Sequence, residues 1–194
     1  FPHRDYLPGV FTMKGFMRKN LLFSLCGLNC GLCTMRLGGH CPGCGGGPGN
    51  QSCAIAKCSL QHGCVEYCFL CSEFPCPKYD GAEEYDSFVT HQRQLKDIKR
   101  AQEIGIEAYS DEQTEKANIL HTLLSDYNDG RRKTFFCAAV NLIPLEQLRT
   151  IMEQAAANGP HTLKEKAEYV AALFRSYAEK NGLVLGLRRK PAML

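Results

Sequence analysis

From Glu83 onward, candidate inward positions recur at helical spacing. Phe88, Gln92, Leu95, Ile98, Gln102 and Ile104 predict one helix, ended by Gly105. Ser110 with Gln113 reads as a capping box, in which a side-chain oxygen and an amide satisfy the first free N–H groups. A second helix is expected to start there, with Ala117, Leu120, Leu124 and Tyr127 on one face and Gly130 as its stop. The run "TFFCAAVNLI" (Thr134 to Ile143) is almost wholly apolar, and Ala138 and Ala139 favour a buried helix over a strand. Pro144 suits the first turn of the next helix, whose buried stripe is Leu145, Leu148, Ile151, Met152 and Ala155. Thr162 with Glu165 forms a second capping box. It opens a helix with Leu163, Ala167, Val170, Phe174 and Tyr177 inside and Gly182 at its end. The ending "GLRRKPAML" is expected to fray.

Residues 22–80 show no sustained period. They are rich in Cys and Gly, and "GCGGGPGN" (Gly43 to Asn50) forbids regular structure. The expected fold is mainly α with little β: an irregular Cys/Gly-rich metal-binding lobe packed on a four- to five-helix bundle. Four segments follow: an N-terminal extension (1–21) given no function, the cysteine-rich lobe (22–80), a helical domain (81–187) and a C-terminal tail (188–194). A lobe of roughly sixty residues with few large aliphatics buries too little surface to stand alone. It needs an internal staple, the helices as a floor, or both.

The 194 residues are 44 % hydrophobic and 22 % charged, so a packed core is expected. The net charge of +3 is too mild to imply a polyanionic partner. Cysteine is the outlier, at twelve residues. Cys137 stands alone, and all the others lie between Cys26 and Cys76. Disulfides, structural metal or an iron–sulfur cluster explain such crowding. Met13 to Leu28 has a basic start and the apolar run "LLFSLCGL", but that run is short and no small-x-small cleavage site follows. It is also too short to span a bilayer. A cytoplasmic protein with reduced thiols, and therefore metal, is the expectation.

Cys30/Cys33, Cys41/Cys44 and Cys68/Cys71 each enclose two residues, a spacing that lets both sulfurs reach one ion from a tight turn. In "CPGCG", Pro42 fixes the entry and Gly45 permits a positive φ after the second ligand. Tetrahedral zinc takes four such ligands. One partition into two Zn2+ sites uses Cys30, Cys33, Cys41 and Cys44, then Cys58, Cys68, Cys71 and Cys76. Cys26, Cys53 and Cys64 are possible additional ligands, interleaved partitions are equally legal by count, and His40 or His62 could replace a cysteine. The spacing C-x3-C-x2-C in "CGLNCGLC" and "CVEYCFLC" also suits a [4Fe-4S] cluster, the alternative cofactor. Between Cys26 and Cys76 the fixed charges Arg36, Lys57, Glu66 and Glu73 cancel. Each four-thiolate zinc site adds about −2, so a loaded lobe repels phosphates and nucleic acid is disfavoured as a partner.

Cys137, after two phenylalanines, reads as a buried small hydrophobe. Phe74 is expected between lobe and helices. Arg131 to Lys133 reads as a solvated helix start or a cap, with an anion site or a pairing to the lobe as alternatives. Arg188 to Lys190 reads as a solubilising tail. There is no HExxH, GxSxG or phosphate loop, and Asp and Glu look scattered on exposed helix faces, so no catalytic constellation is recognised.

The succession "CGLNCGLC", "CPGC", "CAIAKC", "VEYCFLCSEFPC" and "DGRRKTFFCAAVNLIPLEQL" resembles a family of cysteine-rich bacterial and archaeal proteins, the domain of unknown function numbered 3795. The resemblance covers about Leu25 to Leu148. Cys64 is an addition to the family pattern. The resemblance implies metal binding and no particular activity. The expected function is a metal-binding cytoplasmic protein with structural zinc that presents a surface to another protein. The alternative is an iron–sulfur or thiol-based redox or metal-handling protein.

Overall fold

The computed structural model describes residues 15–47, 53–157 and 162–191. Residues 1–14 of the expected extension, the end of the glycine run and the last residues of the tail lie outside these. Among the described residues there are seven α-helices and no strand. Two are short and belong to the lobe: α1 (Thr34–Leu37) and α2 (Ala54–Gln61). The lobe also contains 3-10 turns at Cys30–Leu32, Cys68–Leu70 and Pro77–Tyr79. The bundle is α3 (Gln94–Ile104), α4 (Ile106–Asp126), α5 (Lys133–Leu142), α6 (Leu145–Ala157) and α7 (Leu163–Lys180). The mainly helical fold expected from the periodicity is what forms. Among the described residues, no helix is long and apolar enough to cross a membrane.

The bundle core is made by Leu120 and Leu123 of α4, Phe136 and Val140 of α5, Leu148 of α6 and Phe174 of α7. Cys137 is buried in this core, as its apolar neighbours require. The Thr162–Glu165 capping box is present in both directions. Leu163, however, stands outside the inner stripe, which runs Ala167, Val170, Ala171, Phe174 and Ala178.

Two helix starts differ from the periodic reading. Helix α3 begins at Gln94 rather than near Phe88, because the Asp86 carboxylate accepts from the His91 N–H at 2.6 Å and diverts the chain. Its inward stripe is therefore Gln94, Asp97, Ile98 and Ala101, and Gln102 and Ile104 face solvent. Helix α4 begins at Ile106, so Ser110 lies within it instead of capping it. Gly105, at φ +88°, joins the two helices alone; only glycine takes that conformation without strain. Gln113 consequently points inward on the stripe Tyr109, Gln113, Lys116, Leu120 and Leu123.

The lobe is not short of apolar contact. Phe23, Tyr67 and Tyr79 pack with Ile98 and Ala101 of α3 and Tyr109 of α4 into a second cluster. The Phe23 ring lies 4.7 Å from Tyr109 and 5.9 Å from Tyr67 between centroids. Phe74 joins this cluster edge-on to Tyr79 at 5.5 Å, the role its position suggested. Leu32 goes further and inserts into the bundle core itself. Gly27 (φ +99°) makes the approach possible: a Cβ there would stand 2.3 Å from the Gln94 carbonyl oxygen. The helices are therefore the floor on which the lobe rests.

The ending is not frayed at Arg188. Its backbone N–H and guanidinium donate to Asp86, and its carbonyl accepts from the Asp86 N–H. Arg132, from the basic cluster, pairs with Asp129 and Glu168 at the start of α5. Its role is to fix a helix start.

Candidate metal centre

All twelve cysteines are free thiols. Those of the lobe fall into two neighbourhoods. Cys58 on α2, Cys68 at the start of a 3-10 turn, Cys71 just after it and Cys76 before the next line a common cavity of about 30 Å3. These are the four residues the spacing assigned to a second ion. The cavity has room for one water-sized body and is otherwise walled by Ile55, Val65 and Phe74. Burial pushes the Cys68 thiol up to about 11, with Cys76, Cys58 and Cys71 close enough to add to the shift. His62 also lines the cavity. Its Nδ1 is 2.9 Å from the Cys58 carbonyl oxygen and 3.4 Å from the Cys58 sulfur, while its Nε2 faces Glu73 at 3.3 Å.

The first neighbourhood differs from the partition by close pairs. Cys26 lies within electrostatic reach of Cys44, Cys53 and Cys30, and burial holds its thiol far above the ordinary range. Burial also raises Cys30 to about 12, with Cys44 its foremost thiol neighbour. Cys44 is raised by burial and has Cys53 beside it. Cys26, Cys30, Cys44 and Cys53 are thus electrostatic neighbours, with Cys33 and Cys41 also close to Cys30.

Cys33 and Cys41 are electrostatic neighbours of Cys30. The Cys33 sulfur points at the Phe88 carbonyl oxygen at 3.6 Å, and Cys33 neighbours Cys137 in the bundle core. The physical reason is the 3-10 turn: Cys30 and Cys33 flank Leu32, and burying Leu32 in the bundle carries Cys33 toward the helices. Cys41 lines an open groove with His40, Arg36 and Pro42. Cys64 is exposed, at φ +57°, and Cys53 is exposed at the start of α2. Among the described residues, no three Cys, His, Asp or Glu side chains are drawn together closely enough to constitute a formed ion site. The two sets are neighbourhoods of thiols.

Their surroundings fit a thiophilic cation. The backbone N–H groups of Cys44 and Leu25 turn toward the sulfurs of Cys30 and Cys44, the arrangement that offsets thiolate charge. Gly45 takes φ +81° after Cys44, as expected, and its bare α-carbon lies against the Arg18 side chain. Arg18 is the residue the sequence reading passed over. Its side chain is 1 % exposed, lies beside Cys44 and stacks over Tyr67 at 5.0 Å. Nε donates to the Glu66 carbonyl and Nη1 to the Phe23 carbonyl, but Nη2 has no hydrogen-bond partner, with Glu66 Oε1 at 3.4 Å. The Arg18 cation is thus paired with the Glu66 carboxylate while it also lies beside the Cys44 sulfur. Tyr79 connects the two sets: its hydroxyl bonds to the Cys26 carbonyl at 3.3 Å and also lies against the Cys68 thiol.

Behind the first set lies a polar core, also unanticipated. Asn29 donates to Asp97 Oδ2 at 3.0 Å and to Asn141 Oδ1 at 3.2 Å, and accepts from the Tyr109 hydroxyl at 3.1 Å. Arg93 donates to Asp97 at 3.1 Å, and Lys116 to the Asn141 carbonyl at 3.2 Å. Asp97 and Lys116 are therefore buried, not on exposed faces.

Comparison with protein families, with curated proteins and with solved structures finds no match to the chain.

Proposed function

We propose that this is a metal-binding protein whose lobe holds two Zn2+ ions in structural sites. Cys26, Cys30, Cys44 and Cys53 would hold one, and Cys58, Cys68, Cys71 and Cys76 the other. The observation that carries the reading is the small cavity that Cys58, Cys68, Cys71 and Cys76 line together. Four-thiolate zinc is a closed site that supplies folding energy rather than an open coordination position. The residues contribute sulfur ligands, backbone N–H groups aimed at sulfur, and Arg18 as counter-charge. The protein is cytoplasmic on this reading, since thiols stay reduced there. The motif succession supports membership of the family numbered 3795. The lobe would serve as a protein-interaction module, with exposed Leu22 and Leu37 beside the Cys41–Pro42 turn as its contact surface. Nucleic acid is not the partner, because a loaded lobe is net negative.

Elemental analysis of anaerobically purified protein tests this. About two zinc ions per chain in a colourless protein is the expected result. A brown protein containing iron and sulfide would replace zinc by [4Fe-4S] and favour the redox alternative. A preparation with neither metal overturns both.

A further inference from the structure

A cavity of about 530 Å3 lies between α3, α4 and the start of α6, bordered by Asp97, Tyr109 and Lys116 of the polar core. That is the size of a small-molecule site. Its lining carries five cationic side chains against three carboxylates. Most of these are already committed. Arg100 grips Glu112 with two nitrogens, Arg149 grips Glu115 in the same way, and Arg93 holds Asp97. The two ammonium groups are different. Lys116 is 6 % exposed, and its one protein partner among the described residues is the neutral Asn141 carbonyl. Lys96 is exposed and has no ion pair among the described residues. Glu146, also exposed, offsets one charge at the rim. Beside Lys116 on the same helix face, Gln113 is 9 % exposed, and its Oε1 is buried without a hydrogen-bond partner among the described residues.

A buried acceptor without a donor and a buried ammonium without a direct ion pair among the described residues are both costly, and they line one cavity. Burial also pushes the Lys116 amine down to about 8, against the pull of Asp97. A bound carboxylate would relieve that amine, and a ligand hydroxyl would satisfy Gln113. Phosphate suits the site less well, because the guanidinium forks that grip it best are occupied by carboxylates. We propose that this cavity binds a small hydroxylated organic acid, with its carboxylates on Lys116 and Lys96 and its hydroxyl donating to Gln113 Oε1. The proposal is independent of the metal reading.

Calorimetry on the full chain, as purified, tests it with malate, succinate and inorganic phosphate. Malate should bind saturably at millimolar concentration, and succinate, which lacks the hydroxyl, about tenfold more weakly, the usual worth of one satisfied buried acceptor. Lys116→Met should weaken both acids by about tenfold or more, as expected for loss of a charge-assisted contact. Gln113→Leu should abolish the difference between malate and succinate. It should also melt no lower than the parent, since it removes an orphaned amide; a clear loss of stability would mark Gln113 as structural and overturn its assignment. No saturable binding of either acid, binding unaffected by Lys116→Met, or phosphate binding more tightly than malate would each overturn the proposal.

Discussion

Asp86 and Arg188 hold each other from both sides. The Arg188 N–H donates to Asp86 Oδ2 at 2.7 Å, its guanidinium spans both carboxylate oxygens at 3.2 and 3.0 Å, and the Asp86 N–H returns a bond to the Arg188 carbonyl at 2.8 Å. The clasp pins the end of the chain to the segment joining lobe and bundle. Burial alone would raise the Asp86 carboxyl, but the Arg188 and His91 bonds prevail and hold it below the ordinary carboxylate range. Its contribution to stability is therefore complete above the unfolded carboxylate value of about 3.9 and is lost as pH falls through the lower folded value. Asp86→Asn should cost about 2 kcal/mol near neutral pH. Urea denaturation of both proteins across pH should show that difference shrinking only below about pH 4.

Gly27→Ala should be among the most damaging single-methyl changes in the chain. The added Cβ would meet the Gln94 carbonyl oxygen at 2.3 Å and the Ile98 Cβ at 2.8 Å, at a backbone φ of +99° that disfavours alanine. A loss of about 3 kcal/mol is expected, as a clash and a strained backbone add. Gly47→Ala, also at positive φ but with open space around it, should cost about 1 kcal/mol. Denaturation midpoints of the two variants compare them directly.

The proposed ligand sets can be separated by counting ions. Serine at any of Cys26, Cys30, Cys44 or Cys53 should lower the zinc content by about one ion per chain, and so should serine at Cys58, Cys68, Cys71 or Cys76. Serine at Cys33, Cys41 or Cys64 should leave both ions in place. Zinc loss on Cys33→Ser with none on Cys26→Ser would restore the partition by close pairs.

Chelation should strike the lobe first. The tyrosines Tyr67, Tyr79 and Tyr109 share one cluster at the base of the thiol sets. Near-ultraviolet circular dichroism should therefore change strongly when metal is stripped, while the far-ultraviolet helical signal from α4 to α7 largely persists. Unchanged spectra after complete removal would contradict a folding role for the ions.

The helices were legible where apolar residues set the period and a strong local signal marked the end. Leu148, Ile151 and Ala155, the Thr162–Glu165 box and Gly182 all behave as read. The reading lost its grip where polar side chains face inward. Asp97 and Lys116 look like surface charges until Gln94, Ile98 and Ala101, or Tyr109 and Leu120, are seen to share their faces. Periodicity counts apolar residues and passes over a buried network held by hydrogen bonds. Within the lobe, spacing pointed to the four thiols from Cys58 to Cys76 because they are contained in one short stretch. It could not place Cys26 and Cys53 together, since that depends on how Leu32 and Gly27 seat the loop on the bundle.

Leu32 has a mechanical consequence. It is one hydrophobic plug, 1 % exposed, driven from an irregular loop into a socket among α4, α5 and their neighbours. Helices cut free at residue 81 would keep that socket empty, and a vacated leucine site of this kind costs about 3 kcal/mol. The bundle is thus no self-contained platform under the lobe: part of its interior is supplied by the cysteine-rich half.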